Sequence, residues 1–101
     1  MSLLHTINKS PFEKNALESC LKHAKDGHDI LLIEDGVYAA TKDSKFSDLL
    51  RQAMETKGVY ALKPDLDARG MQDRVMDGIE LVDYAGFVDL VEKNDKVQAW
   101  L

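Results

Sequence analysis

A single cysteine, Cys20, stands in a chain of 101 residues. One thiol closes no intrachain disulfide, and without companion ligands it makes no structural zinc site. Basic residues are outnumbered, 13 Lys and Arg against 18 Asp and Glu, for a formal charge of −5. A surface with that balance repels the phosphate backbone that dominates nucleic-acid affinity, so direct nucleic-acid binding is disfavoured. Long apolar runs are missing too: the longest, Ile30 to Ile33, is far too short to span a bilayer, and no basic amphipathic segment draws the chain to anionic lipid. The start, Met1-Ser2-Leu3-Leu4-His5-Thr6-Ile7, has no basic n-region, no extended apolar core and no small-residue cleavage site. These features predict a cytoplasmic protein with no membrane partner.

No G-x-G-x-x-G or Walker sequence occurs, which leaves a nucleotide cofactor without a motif. His5, His23 and His28 are dispersed, with no H-x-x-x-H or C-x-x-C spacing, so no metal is expected. Neither an internal repeat nor a Pro/Gly/Ser-rich linker divides the chain, and residues 1–101 read as one domain.

What the chain does have is 45% apolar and 31% charged residues, the balance of a globular fold. Strand-length apolar runs alternate with segments of helical period, the pattern of βαβ units and a mainly parallel sheet covered on both faces. Five strands are predicted, at Ser2 to Ile7, Asp29 to Ile33, Gly58 to Leu62, Ile79 to Val82 and Val97 to Trp100. Ser10, Pro11 and Glu13 form a capping signal for a first helix running to about Lys25. Ala16, Leu17, Cys20, Leu21 and Ala24 make its apolar face, while Glu18, Lys22 and Lys25 point to water. A middle helix is expected over Ser44 to Thr56, with Phe46, Leu49, Leu50 and Ala53 inward and Gly58 as its stop. Asp83 caps a last helix, whose Tyr84, Phe87, Val88 and Val91 repeat at i, i+3, i+4, i+7 and are expected to cover the sheet. Residues 64–78 read as a short helix or loop carrying Asp65, Asp67 and Arg69.

In open α/β sheets, ligand groups gather beyond the carboxyl ends of the strands. Three clusters qualify: Asn8-Lys9-Ser10, Glu34-Asp35-Gly36 and Lys63-Pro64-Asp65. A helix starting at Ser10 would accept an anion, although serine capping alone explains the residue. Adjacent Glu34 and Asp35 on an extended strand point to opposite faces, which favours a turn role for Asp35-Gly36 over an acid/base pair. Cys20 is the one strong nucleophile. Its place in a helix interior denies it the N-terminal dipole, and its apolar face suits an inert core thiol as well as a reactive one. His23, three residues on, is a candidate to favour the thiolate.

Leu4-His5-Thr6 followed by Ser10-Pro11, then Leu31-Leu32 with Asp35-Gly36-Val37-Tyr38-Ala39-Ala40, resembles the opening half of the DsrH/TusB family. Tyr60-Ala61-Leu62, Asp65-Leu66 with Ala68-Arg69-Gly70, Val82-Asp83-Tyr84 with Phe87-Val88, and Gln98-Ala99-Trp100 continue the same pattern in order. The resemblance implies a DsrEFH-like, three-layer α/β/α domain with a five-stranded parallel sheet. It also implies a cytoplasmic hetero-hexamer with DsrE/TusD-like and DsrF/TusC-like subunits, which passes persulfide sulfur toward a DsrC/TusE-like acceptor. A cysteine in the first helix resembles the DsrH branch of sulfur oxidisers, which makes Cys20 the expected catalytic residue. The alternative is a TusB-like, non-catalytic scaffold in transfer-RNA 2-thiouridine synthesis. A sheet with few helices in so short a chain leaves apolar surface for partners, and Tyr38, Phe46, Tyr84, Phe87 and Trp100 are the aromatic candidates for contacts.

Overall fold

A computed structural model describes residues 2–101. Five strands, β1 (Leu3–Ile7), β2 (Asp29–Leu32), β3 (Gly58–Leu62), β4 (Glu80–Val82) and β5 (Lys96–Trp100), form one sheet of order β4-β3-β2-β1-β5. Every pairing is parallel. Four α-helices connect them: α1 (Ala16–His23), α2 (Ser47–Ala53), α3 (Lys63–Ala68) and α4 (Tyr84–Lys93), with a 3-10 segment at Glu34–Ala40.

The strand order dictates the layers. From β1 to β4 the chain steps one way across the sheet, whereas the β4 to β5 connection returns past all of them. Right-handed crossovers place connections of opposite direction on opposite faces. Accordingly Ala16, Leu17 and Cys20 of α1, Leu50 and Ala53 of α2 and Leu66 of α3 join Ile7, Ile30, Leu32, Val59 and Ala61 in the larger core. The other face has α4 alone, and its small cluster centres on Leu4, Leu31 and Leu90 with Phe87, Tyr60 and Val82 packed against it. The architecture is the three-layer α/β/α sheet that the sequence predicts.

Helix α4 is tied down at both ends. Asp83 caps it, its carboxylate accepting from the Gly86 amide at 2.8 Å. At the other end Asn94 donates through Nδ2 to the Leu90 carbonyl at 2.8 Å and to the buried Asp29 carboxylate at 3.0 Å, and Lys93 reaches the same oxygen at 3.2 Å. A carboxylate removed from water needs such partners. This anchorage turns Phe87, Leu90 and Asn94, spaced i, i+3, i+7, toward the sheet. The expected covering stripe is therefore corrected: Tyr84 is 61% exposed, Val88 54% and Val91 40%, and of the four residues only Phe87 packs inward.

The first two helices are also shorter than expected at both ends, α1 running from Ala16 to His23 and α2 from Ser47 to Ala53. Ser10 accepts from the Phe12 amide and starts an isolated turn, with Glu13 and Lys14 amides bonded to its carbonyl, but α1 begins only at Ala16. The helix start expected at Ser10 does not form, and with it goes the option of an anion site there. The middle helix is shorter than its period, Ser47–Ala53, because Thr41 to Phe46 is held in turns by Ser44 and Ser47 hydroxyls. Gly58 opens β3 instead of stopping that helix.

Candidate functional site

The carboxyl edge of the sheet gathers the three clusters picked out in the sequence. β2 ends at Leu32, and Glu34 enters the 3-10 segment with φ 49°, so Glu34 and Asp35 are not strand neighbours facing opposite ways. The Glu34 amide donates to the Asp65 carboxylate at 2.6 Å. Arg69 grips Asp35 with Nε at 3.0 Å and Nη2 at 2.9 Å, and donates to the Asp65 carbonyl at 3.1 Å. Gly36 presses so closely on the end of β1 that a Cβ there would overlap the Ile7 carbonyl oxygen. The three loops thus form one braced rim in which the guanidinium is neutralised by its own neighbours. That fits a structural lock better than an anion receptor or acid/base centre. Asn8, next to this rim, is the one residue with a buried side-chain oxygen lacking a hydrogen-bond partner among the described residues.

Cys20 lies elsewhere, on the inward face of α1 in the larger core, with no exposed surface. Burial pushes its thiol up to about 12, against a small opposing pull from the Lys57 ammonium. His23 does not assist it. The Nδ1 of that ring donates to the Ser19 carbonyl at 2.8 Å, and the ring lies 5.6 Å from the Trp100 indole between centroids.

The histidines that look dispersed in sequence converge around Trp100. Its Nε1–H donates to His5 Nδ1 at 3.0 Å, and His5 Nε2 bonds His28 Nδ1 at 3.0 Å. An indole only donates, so His5 Nδ1 is the acceptor and its proton sits on Nε2. His28 Nδ1 accepts that proton and the Lys25 amide at 3.2 Å, which places the His28 proton on Nε2. His5 is 2% exposed, and its pKa is lowered by burial first and then by His28 and His23. Strand alternation gives the only sequence signal for this chain of bonds, since His5 shares a face with Ile7; the pairing of β1 with β5 supplies the rest.

Comparison with known proteins gives a consistent picture. A family profile for DsrH-like proteins matches residues 9–97. Protein TusB of Enterobacter sp. (strain 638) is 38% identical over 98 residues, covering 97% of this chain and all of the relative. Protein TusB of Escherichia coli (strain K12) is 37% identical over the same span, again covering 97% of this chain and all of the relative. Among solved structures, the YchN protein of E. coli superposes with a TM-score of 0.84 over 98% of each chain at 18% identity, a likeness of fold. Tm0979 of Thermotoga maritima superposes with a TM-score of 0.63 at 26% identity, over 92% of this chain and 93% of its own. With residues 9–97 matched by the DsrH-like profile and 97% of its length aligned to TusB relatives at 37–38% identity, the chain belongs to the DsrH/TusB family.

Proposed function

We propose that this chain is a TusB-like, non-catalytic scaffold subunit of a cytoplasmic sulfur-relay complex that supports transfer-RNA 2-thiouridine synthesis. It acts beside DsrE/TusD-like and DsrF/TusC-like subunits in a hetero-hexamer and helps dock a TusE/DsrC-like acceptor. The observation that carries this reading is the state of Cys20. A persulfide carrier has to meet its donor as a thiolate, yet this sulfur has no exposed surface and a thiol pushed to about 12. The TusB name of relatives at 37–38% identity supports the same side. The exposed apolar surface on the α4 face, where Tyr84, Val88, Val91 and Val97 stand uncovered as an association surface would, supports a place in a complex under either role.

A DsrH-like role, with Cys20 accepting persulfide during sulfur oxidation, is the second reading. It is favoured by the presence of a cysteine in the first helix, and it requires α1 to open or shift in the assembled complex. Replacement of Cys20 by alanine separates the two. The scaffold reading expects unchanged complex assembly and unchanged sulfur transfer to the acceptor. Normal assembly with transfer abolished, together with a sulfur adduct on Cys20 by mass spectrometry, would overturn it in favour of the relay.

A further inference from the structure

At the opposite end of the sheet from the braced rim, an open cavity of about 470 Å³ is lined by Leu3, His23, Lys25, His28, Lys96 and Gln98. Four of those six residues are lysine or histidine and none is acidic, in a chain of net charge −5. The backbone brings them together by two routes. Parallel pairing of β1 with β5 sets Leu3 beside Lys96 and His5 beside Gln98. The turn Lys25-Asp26-Gly27-His28, closed by the His28 amide on the Lys25 carbonyl at 3.0 Å with Gly27 at φ 87°, presents Lys25 and His28 from the start of β2.

The nearby carboxylates are engaged elsewhere. Asp26 lies 3.9 Å from the Lys57 ammonium, and Asp95 accepts the Ser2 amide at 2.9 Å and its hydroxyl at 3.3 Å. Neither Lys25 nor Lys96 forms an ion pair among the described residues. The relay from Trp100 through His5 fills His28 Nδ1 from the inside, so the nitrogen left to the cavity is the protonated Nε2, a donor even when the ring is neutral. Two free ammonium groups, a fixed imidazole N–H and the Gln98 amide are a donor set for an oxyanion. Leu3 and the lysine stems supply an apolar wall beside it.

We propose that this cavity is a binding site for a small oxyanion of the phosphate class, held by Lys25, Lys96 and the Nε2–H of His28. Nothing in it depends on the sulfur-relay reading or on Cys20. The site takes the anion as free phosphate or as a phosphate monoester, and the apolar wall favours the ester.

The test is a titration of the full, ¹⁵N-labelled chain with sodium phosphate at constant ionic strength, followed by amide and imidazole chemical shifts, with phenyl phosphate as the second probe. Saturable shifts are expected, confined to Leu3, the 23–28 segment and residues 96–98. Phenyl phosphate should bind more tightly than phosphate if the ligand is an ester and no more tightly if it is the free ion. Lys25→Gln with Lys96→Gln, both on exposed side chains, should weaken binding by about tenfold or more without altering the remaining spectrum. Shifts that do not saturate, that spread over the surface, or that persist in the double variant would overturn the proposal as non-specific ion association.

Discussion

Trp100 donates its indole N–H to His5 Nδ1 at 3.0 Å across the β5–β1 pairing, 95 residues apart in the chain. The bond is possible only while that nitrogen is unprotonated, and the His5–His28 bond needs His28 Nδ1 unprotonated as well. The packing of the last strand against the first is thereby coupled to the neutral state of His5.

Acid should therefore weaken the fold in a defined window. The His5 pKa is lowered in the folded chain, by burial first and by His28 and His23 after it. The unfolded chain then binds the proton more readily, so the stabilisation is present above the unfolded histidine value of about 6.5 and is lost as pH falls through the lower folded value. Denaturant unfolding monitored by Trp100, the sole tryptophan, should show midpoints dropping across that window. His5→Gln should flatten the dependence.

Removing the donor isolates the same bond. Trp100→Phe leaves the His5 acceptor buried without its partner and should cost about 1–3 kcal/mol in chemical denaturation at pH 8. A change below about 0.5 kcal/mol would mean that the bond contributes nothing net.

Asn94 and Asp29 make a second long-range tie, at 3.0 Å. Asn94→Ala strips one partner from a carboxylate that is 4% exposed and frees the Leu90 carbonyl. A loss of about 2–3 kcal/mol is expected by thermal or denaturant unfolding. Asp29→Asn with Asn94 intact should cost less, since the buried charge is gone and the new amide oxygen still accepts from Asn94.

The thiol of Cys20 should be nearly inert. With the group pushed to about 12, the thiolate fraction at pH 8 is about one part in ten thousand, and the sulfur is shielded as well. Labelling by a disulfide reagent should be slow in native buffer and fast in denaturant. Rapid native labelling would show that α1 opens and would revive the relay reading.

Gly36→Ala tests the rim. The added methyl would overlap the Ile7 carbonyl oxygen, a backbone atom that cannot swing away. A loss of about 3 kcal/mol or more is expected, larger than for Gly27→Ala, whose Cβ meets nothing within 4 Å and whose cost is confined to its φ of 87°.

Much of the fold is legible in the residues because local chemistry fixes it. The apolar runs of β1, β2 and β3 begin or end within a residue of their predicted limits, and Asp83 caps α4 as its side chain dictates. The inward face of α1, with Leu17 and Cys20 buried and Glu18 and Lys22 exposed, follows from the 3.6-residue period, whereas Lys25, expected on the same helix, lies past its end at His23. The 3-10 segment at Glu34–Ala40 is not legible, because it depends on Asp65 and Arg69 from the next connection and on the close approach of Gly36 to β1.

By itself the sequence determined the alternation of strands and helices, the apolar face of α1 and the family, since each depends on residue order and spacing alone. Only the tertiary structure decided which stripe of α4 meets the sheet, because Asn94 must reach Asp29 from 65 residues away. It alone decided that Cys20 is sealed while His5, His28 and Trp100 form a hydrogen-bonded chain. Burial and hydrogen-bond partnership are properties of the assembled layers, and parallel pairing joins segments that local sequence cannot place side by side.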